Sequence, residues 1–249
     1  MTDDSAFFIT GEQRPGPWLI TVDHAHNRVP HAVGGGDLGI PTADMNRHIA
    51  YDVGAEPVAQ ELGRLLDSPV LTSNFSRLVI DPNRGEDDPT LVMQLYDGTI
   101  IPANRHVDAA ERERRLAAYH RPYHDAYARL VPGKVILAIH SFTPQLRARP
   151  PRPWQVGVLF APGHDTTLSN AAITRLQAQS DLTVGVNEPY AGHLPGDSID
   201  RHALRDGRPN LLIELRNDLI ETAQGQKHWA TRLAPIFTDA LNELQNGPE

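Results

Sequence analysis

The chain has 249 residues, of which 40% are hydrophobic and 22% charged, as is typical of a globular protein. Its formal net charge of -8 argues against a nucleic-acid partner, because nucleic-acid phosphates require a basic surface. The absence of cysteine excludes disulfides, thiolate metal sites and a cysteine nucleophile, and no apolar run approaches the ~20 residues that span a bilayer. The acidic start, MTDDSAFFIT, is unlike a signal peptide, so we expect a cytoplasmic protein.

Apolar runs of strand length alternate with helical segments along the chain. Strands are predicted at residues 18–22, 70–72, 77–80, 135–139, 156–160, 184–186 and 211–214. Helices are predicted from Thr42 to about Leu66, from a cap at Asp108 through AAERERRLAAY, from Pro122 onward, over 165–179, and over 223–245 with a break or kink near Pro235. This alternation predicts a single three-layer α/β/α domain over residues 1–249, with a mixed, mainly parallel sheet. It does not predict the oligomeric state.

Polar side chains follow several of the predicted strands. Asp23 and His24 follow WLITV, residues 81–84 (DPNR) follow RLVI, and His140 follows VILAI. The last predicted strand contains Glu214 as its first charged residue. Because ligands bind at the carboxyl ends of strands in open α/β sheets, we expect these groups to meet at one edge of the sheet.

These residue types are the parts of a metal-assisted amide hydrolase. Neutral imidazoles are good zinc ligands, and a catalytic zinc keeps about three protein ligands and a water molecule. A nearby carboxylate can take a proton from that water and pass it to the leaving amine. One arginine can stabilise the developing oxyanion, and another can bind a substrate carboxylate through two parallel hydrogen bonds.

The sequence resembles the N-formylglutamate amidohydrolase family. The matching segments lie between residues 22 and 219 and are VDHAHNRVP, RHIAYDVGA, SRLVIDPNR, DGTIIPANR, PYH, IHSFTP, NEPY and IELRNDL. The family in turn resembles the zinc carboxypeptidases, whose corresponding motifs occur in the same order. The resemblance implies a phosphorylase/hydrolase-like fold, a zinc cofactor and a small anionic N-acyl amino acid as substrate. It implies above all the conversion of N-formyl-L-glutamate to formate and L-glutamate, in amino-acid catabolism.

The resemblance also implies roles for individual residues. His24 and His140 correspond to zinc ligands, and Glu214 corresponds to the general base and acid. Arg77 is the candidate for the arginine that stabilises the oxyanion.

Three further residues are implied in substrate binding. Asn83 and Arg84 correspond to the pair that binds a substrate carboxylate. Tyr190, within NEPY, is expected to close over the substrate.

The third metal ligand departs from the carboxypeptidase pattern. Carboxypeptidases use a glutamate three residues after the first histidine, but Asn27 stands there in this chain, and a neutral amide is a poor zinc ligand. We favour Asp52, which is predicted on the same helix as Asp44 with His48 between them. Accepting a hydrogen bond from a metal-bound imidazole is the alternative role for Asp52. The other candidates for the ligand are Asp44, His26 and His124.

Two further functions stay open at this stage. A carboxypeptidase-like peptidase or a deacylase for a larger acyl group would use the same residues. A metal-binding or small-ligand-binding protein without turnover is a second alternative, because Asn27 in place of a carboxylate weakens metal binding. Iron and manganese are alternatives to zinc, since histidine and carboxylate ligands accept all three metals.

Overall fold

The computed structural model describes residues 5–247, so residues 1–4 and 248–249 of the predicted 1–249 domain lie outside it. The strands are β1 (Phe7–Thr10), β2 (Trp18–Val22), β3 (Val70–Ser73), β4 (Leu95–Tyr96), β5 (Thr99–Ile100), β6 (Val135–Phe142), β7 (Val156–Leu159), β8 (Val184–Val186) and β9 (Asn210–Arg216). The helices are α1 (Thr42–Met45), α2 (Ala55–Leu65), α3 (Ala109–Arg115), α4 (Arg121–Leu130), α5 (Thr167–Gln177), α6 (Ser198–His202) and α7 (Ala223–Asn246). No helix within residues 5–247 is long and apolar enough to cross a membrane.

Seven strands form one sheet, in the order β1-β3-β2-β6-β9-β7-β8. Strands β3, β2, β6 and β9 are parallel neighbours, and β7 is parallel to β8. Two pairs, β1 with β3 and β7 with β9, are antiparallel. The predicted mixed, mainly parallel sheet is confirmed.

Helices cover both faces of this sheet, which gives the three predicted layers. Ile20 of β2 belongs to the same core cluster as Val58 of α2 and Phe237 of α7. The neighbouring Leu19 faces the opposite side and clusters with Tyr127 of α4. Because both faces are buried, the central strands read as continuous apolar runs rather than as alternating ones.

The predicted strand at residues 77–80 is wrong. Residues 77–79 form a turn, and Leu78, Val79 and Ile80 are fully buried in a separate cluster beneath the long loops, with Phe75 and Leu91 among their neighbours. The apolar run therefore predicted correctly that these residues are buried. They are buried under loops, however, and they pair with no strand.

The prediction of a single helix from Thr42 to Leu66 is also wrong, because the structure has two helices there. Residues 46–54 form a loop between α1 and α2, so Asp52 lies on a loop and not on a helix face. Gly54 ends this loop with a φ of +79°, and a Cβ added there would lie 2.2 Å from the Ile220 carbonyl oxygen. Glycine is required at this position for both reasons.

Several other elements refine the prediction. Asp108 caps α3 as predicted, since its side chain accepts a hydrogen bond from the Glu111 N–H. Helix α7 is continuous through Pro235, so the predicted break is absent. Strand β1, the β4–β5 hairpin and α6 were not predicted.

Candidate active site

Two histidines and one aspartate meet at the carboxyl edge of the parallel strands. His24 follows β2, His140 lies in β6, and Asp52 lies in the loop before α2. Asp52 Oδ2 is 2.8 Å from His140 Nδ1 and 3.4 Å from His24 Nδ1. The three residues are buried, and one donor atom from each lies within 4.8 Å of the others. This His-Asp-His cluster has the donor set of a catalytic zinc site.

Backbone hydrogen bonds attach the Asp52 loop to both strands. The Asp52 N–H donates to the His24 carbonyl oxygen at 2.8 Å. The Ser141 N–H donates to Asp52 Oδ2 at 3.3 Å, and the Ser141 hydroxyl donates to the Val53 carbonyl oxygen at 2.8 Å. These contacts place Asp52 beside both histidines although it lies far from them in sequence.

Each imidazole faces a second carboxylate through its other ring nitrogen. His24 Nε2 is 2.7 Å from Asp81 Oδ1. His140 Nε2 is 3.6 Å from Asp23 Oδ2. Burial lowers the pKa of His140, but Asp23 and Asp52 outweigh burial and raise that pKa well above its ordinary value. Outer carboxylates of this kind orient metal-binding imidazoles, here with both Nδ1 atoms turned inward.

Glu214 stands beside the cluster. It is the register partner of His140 across β9 and β6, and only 7% of it is exposed. Its Oε2 atom has no hydrogen-bond partner among the described residues. Burial raises the pKa of Glu214, His140 opposes this and Asp52 adds to it, so that the pKa is about 7. A carboxyl group with such a pKa can accept and release a proton near neutral pH.

Arg77 is buried between the cluster and Asp81. Its Nη2 and Nε donate to Asp81 Oδ2 at 2.7 and 3.1 Å. Its Nη1 lies 3.2 Å from His24 Nδ1 and 3.6 Å from Asp52 Oδ1. Burial lowers the pKa of Arg77, but Asp81 more than compensates and raises it above its ordinary value. The side chain therefore presents a permanent positive charge to the cluster, where it can stabilise a developing oxyanion.

A cavity of about 460 Å³ opens over these groups, and Asn83 and Arg84 line it as well. Asn83 Oδ1 accepts a hydrogen bond from the Ser198 N–H at 3.1 Å, which leaves the amide N–H groups of Asn83 for the cavity. Arg84 donates to Thr90 Oγ1 and to the Asn83 carbonyl oxygen, and within residues 5–247 it forms no ion pair with a carboxylate. Asn83 and Arg84, named here the clamp, thus offer donors to a ligand carboxylate.

Tyr190 lines the same cavity and is 40% exposed. Arg152 Nη1 is 3.0 Å from the Tyr190 hydroxyl, and the Arg152 guanidinium lies 4.9 Å from the centre of the Tyr190 ring. This cation–π contact holds the ring at the rim of the cavity.

The other candidates for the third ligand lie outside the cluster. Within residues 5–247, His24, Asp52 and His140 form the group whose donor atoms converge. The remaining candidates contact other groups: Asn27 the Met45 carbonyl, Asp44 the Arg47 guanidinium, His124 the Pro82 carbonyl, and His26 the Phe8 ring.

Sequence reasoning assigned no role to three residues of this site. Asp23 and Asp81, which face the outer nitrogens of the histidines, each directly follow an apolar run, and that position was the available signal. His48 lines the cavity, and its buried Nε2 lies 3.4 Å from Asp97 Oδ2 without forming a hydrogen bond. This arrangement is visible only in the folded structure.

Known proteins resemble this chain in sequence and in fold. Residues 16–221 match the profile of the N-formylglutamate amidohydrolase family. The gene product Atu2144 from Agrobacterium tumefaciens is 31% identical, with a TM-score of 0.90 and 97% of each chain covered. An N-formylglutamate amidohydrolase from Ralstonia eutropha JMP134 is 21% identical, with a TM-score of 0.74, and the match covers 98% of this chain and 100% of that one. The latter similarity shows a common fold. No curated protein matches the chain.

Proposed function

We propose that this chain, which belongs to the N-formylglutamate amidohydrolase family, hydrolyses the amide bond of an N-acyl amino acid with the help of a bound metal ion. The observation that carries the proposal is the convergence of His24, Asp52 and His140 beside Glu214 in one cavity. Two imidazoles and a carboxylate next to a carboxyl group of raised pKa suit metal-assisted hydrolysis.

Zinc is the metal that we propose. Asp52 and the Nδ1 atoms of His24 and His140 would hold it, and this donor set fits because the outer nitrogens already face Asp81 and Asp23. When bound, the ion would polarise the amide carbonyl and lower the pKa of a water molecule. Iron and manganese accept the same ligands, so elemental analysis has to decide between them.

Glu214 is the proposed general base and acid. Its unpartnered Oε2 can accept a proton from the attacking water and then deliver that proton to the leaving amine nitrogen. A pKa of about 7 lets one group perform both transfers near neutral pH. Arg77 would stabilise negative charge on the amide oxygen through the Nη1 that faces the cluster.

The substrate that we propose first is N-formyl-L-glutamate, which would yield formate and L-glutamate. Its α-carboxylate would bind Arg84, which forms no ion pair among residues 5–247, and the amide N–H groups of Asn83. Tyr190 at the rim would close over the bound molecule. We expect this reaction to serve amino-acid catabolism in the cytoplasm.

A larger acyl group is the second candidate, and the size of the cavity favours it. His48 and Thr143 line both the cavity of about 460 Å³ and an open cleft of about 620 Å³ beside it. N-formyl-L-glutamate would fill only part of this combined space. A longer N-acyl amino acid or a peptide would use the same clamp and the same cluster.

The first experiment measures metal content and formate release on one sample of purified protein. We expect about one metal ion per chain and formate release from N-formyl-L-glutamate. His140→Ala should lose both, whereas His106→Ala, on an exposed histidine, should keep both. If the protein holds metal but hydrolyses only other N-acyl amino acids, one of those would replace N-formyl-L-glutamate as the proposed substrate. Metal without any hydrolysis would favour a binding protein, and no metal after reconstitution would contradict the proposal.

A further inference from the structure

Two histidines hold the clamp from the side that faces away from the cavity. His124 Nε2 is 2.9 Å from the Pro82 carbonyl oxygen, and His120 Nε2 is 3.0 Å from the Arg84 carbonyl oxygen. These two carbonyl groups lie on either side of Asn83. Both histidines are buried, and neither lines the cavity. They therefore contact the backbone of the clamp and not the space where a substrate would bind.

The hydrogen bonds fix the tautomer of each ring. A carbonyl oxygen only accepts hydrogen bonds, so Nε2 of both His124 and His120 must carry a proton. In a neutral His124 ring, Nδ1 is then an acceptor, and His202 Nε2, 2.9 Å away, donates to it. Burial lowers the pKa of all three histidines and so favours neutral rings.

Ring stacking leaves little freedom for these side chains. The ring centres of His120 and His124 are 4.5 Å apart, and His202 stacks on Tyr127 with the centres 4.1 Å apart. A π-helical turn, Leu116–His120, precedes α4 and brings His120 beside His124. Such turns are frequent at functional sites.

Helix α6 holds the side chain of the clamp while α4 holds its backbone. The Ser198 N–H donates to Asn83 Oδ1, and the Ser198 hydroxyl lies 3.4 Å from the Pro82 carbonyl oxygen that His124 also contacts. The direction of the Asn83 amide is thus set by two elements at once. A binding group that is fixed before the ligand arrives loses less conformational entropy when it binds.

We propose that His124 and His120 are positioning residues for the substrate's α-carboxylate. They act through the Pro82 and Arg84 carbonyl groups, which set where the N–H groups of Asn83 and Arg84 point. This inference rests on the proposed function, because it assumes that the clamp binds a carboxylate.

The test compares N-formyl-L-glutamate with its α-amide, in which a neutral group of similar shape replaces the α-carboxylate. The ratio of kcat/KM for the two compounds measures recognition of the α-carboxylate by the clamp. His124→Leu leaves the Pro82 carbonyl without its donor, and we expect the ratio to fall about tenfold, mainly through a higher KM for N-formyl-L-glutamate. His124→Gln retains a side-chain N–H of similar reach and should restore most of the ratio.

Control variants separate positioning from folding. His106→Leu makes the same exchange at an exposed histidine and should keep the wild-type ratio. His120→Leu removes the donor to the Arg84 carbonyl and serves as the second variant where His124→Leu fails to fold. A purely structural role would lower kcat/KM for both compounds by one factor. An unchanged ratio in the folded variants would therefore overturn the proposal.

A failure of the proposed function would be recognised separately. If the wild-type protein releases formate from neither compound, the same ratio is taken from the dissociation constants of the two compounds, measured by calorimetry. A tighter complex with the α-carboxylate form in wild type, lost in His124→Leu and recovered in His124→Gln, would support positioning without catalysis. Equal affinity of the wild type for both compounds would contradict it.

Discussion

The His-Asp-His cluster and the clamp share one cavity but are supported in different ways. His140 lies in β6 with Glu214 opposite it in β9, so the hydrogen bonds of the sheet fix both residues. Asn83 and Arg84 lie on an irregular segment that is held in place by the His124 side chain of α4, the Ser198 N–H of α6 and the His120 side chain of the turn before α4. His140 and Glu214 are thus mounted on the sheet and Asp52 is hydrogen-bonded to the ends of two strands, whereas the clamp is held by hydrogen bonds from the helices and the turn before α4. Substitutions outside the cavity should therefore disturb the clamp more than the cluster.

Asp81 joins the two regions. Its Oδ1 lies 2.7 Å from His24 Nε2 and accepts a hydrogen bond from the Asn83 N–H at 2.9 Å. Its Oδ2 accepts from Arg77. One buried carboxylate therefore orients a candidate metal ligand, the oxyanion arginine and the first residue of the clamp.

The largest effect is expected at the cluster, for Glu214→Gln. The amide cannot act as a base, so kcat should fall by about 10²–10⁴ while the metal content stays near one per chain. Elemental analysis and formate release on the same sample measure this. Glu243→Gln, a matched exchange on α7, should leave both unchanged. Near-normal turnover of Glu214→Gln would show that another group moves the proton.

Asp81→Asn should be the substitution that affects both regions. Loss of the carboxylate behind His24 is expected to weaken metal affinity about 10–100-fold. The asparagine has one acceptor oxygen where Asp81 has two, so either Arg77 or the Asn83 N–H loses its acceptor, and KM should rise as well. Competition with a chelator measures the first effect, and steady-state kinetics at saturating metal measure the second. A change in metal affinity alone would mean that the two regions are independent.

Arg84→Ala should affect only the clamp. A charged donor to the substrate carboxylate is lost, so KM is expected to rise about 10–100-fold, with metal content unchanged. The KM of Arg84→Lys should lie between those of wild type and Arg84→Ala, since lysine keeps the charge but not the paired donors. The exposed Arg105→Ala is the control. If substrate affinity is the same in Arg84→Ala and in wild type, the carboxylate binds elsewhere.

The sheet-mounted region was the easier one to predict from the sequence. The apolar strands and the polar residues that end them predicted a mixed sheet and placed His24, His140 and Glu214 at one edge, where the structure has them. Asp52 was favoured for the wrong reason, as a helical residue. Only Gly54 hints that the helix is interrupted, and the close approach of Ile220 that requires this glycine is a tertiary contact.

The support of the clamp could not be predicted, because it depends on contacts between residues far apart in sequence. His124 and Pro82 are 42 positions apart, and Ser198 and Asn83 are 115 apart. The run at 77–80 misled the prediction, since an apolar run signals burial without stating whether a strand or a loop provides it. His124 was a candidate for the third metal ligand, whereas the structure shows it and His120 as donors to backbone carbonyl groups.

The last effect concerns acid stability and no step of the proposed reaction, and it arises on the clamp side. Burial, helped by the charges of Arg201 and Arg208 and opposed by Asp23 and Asp206, lowers the pKa of His202 from its ordinary 6.5 to about 4. Below pH 6.5 the unfolded chain binds a proton at this residue, whereas the folded protein binds it only near pH 4. Stability is therefore fully present above pH 6.5 and is lost as the pH falls toward 4.

His202→Phe should remove this contribution while keeping an aromatic ring against Tyr127. The free energy of unfolding should fall less steeply between pH 6.5 and pH 4 than in wild type, by about 1.4 kcal/mol per pH unit and roughly 3 kcal/mol in total. Urea unfolding at several pH values measures both slopes. Equal slopes would mean that His202 is protonated in the folded protein near pH 6. A protonated His202 would still donate through Nε2 to His124 Nδ1, because both nitrogens of an imidazolium carry a proton. The support that His124 gives to the Pro82 carbonyl would therefore not depend on the charge of His202.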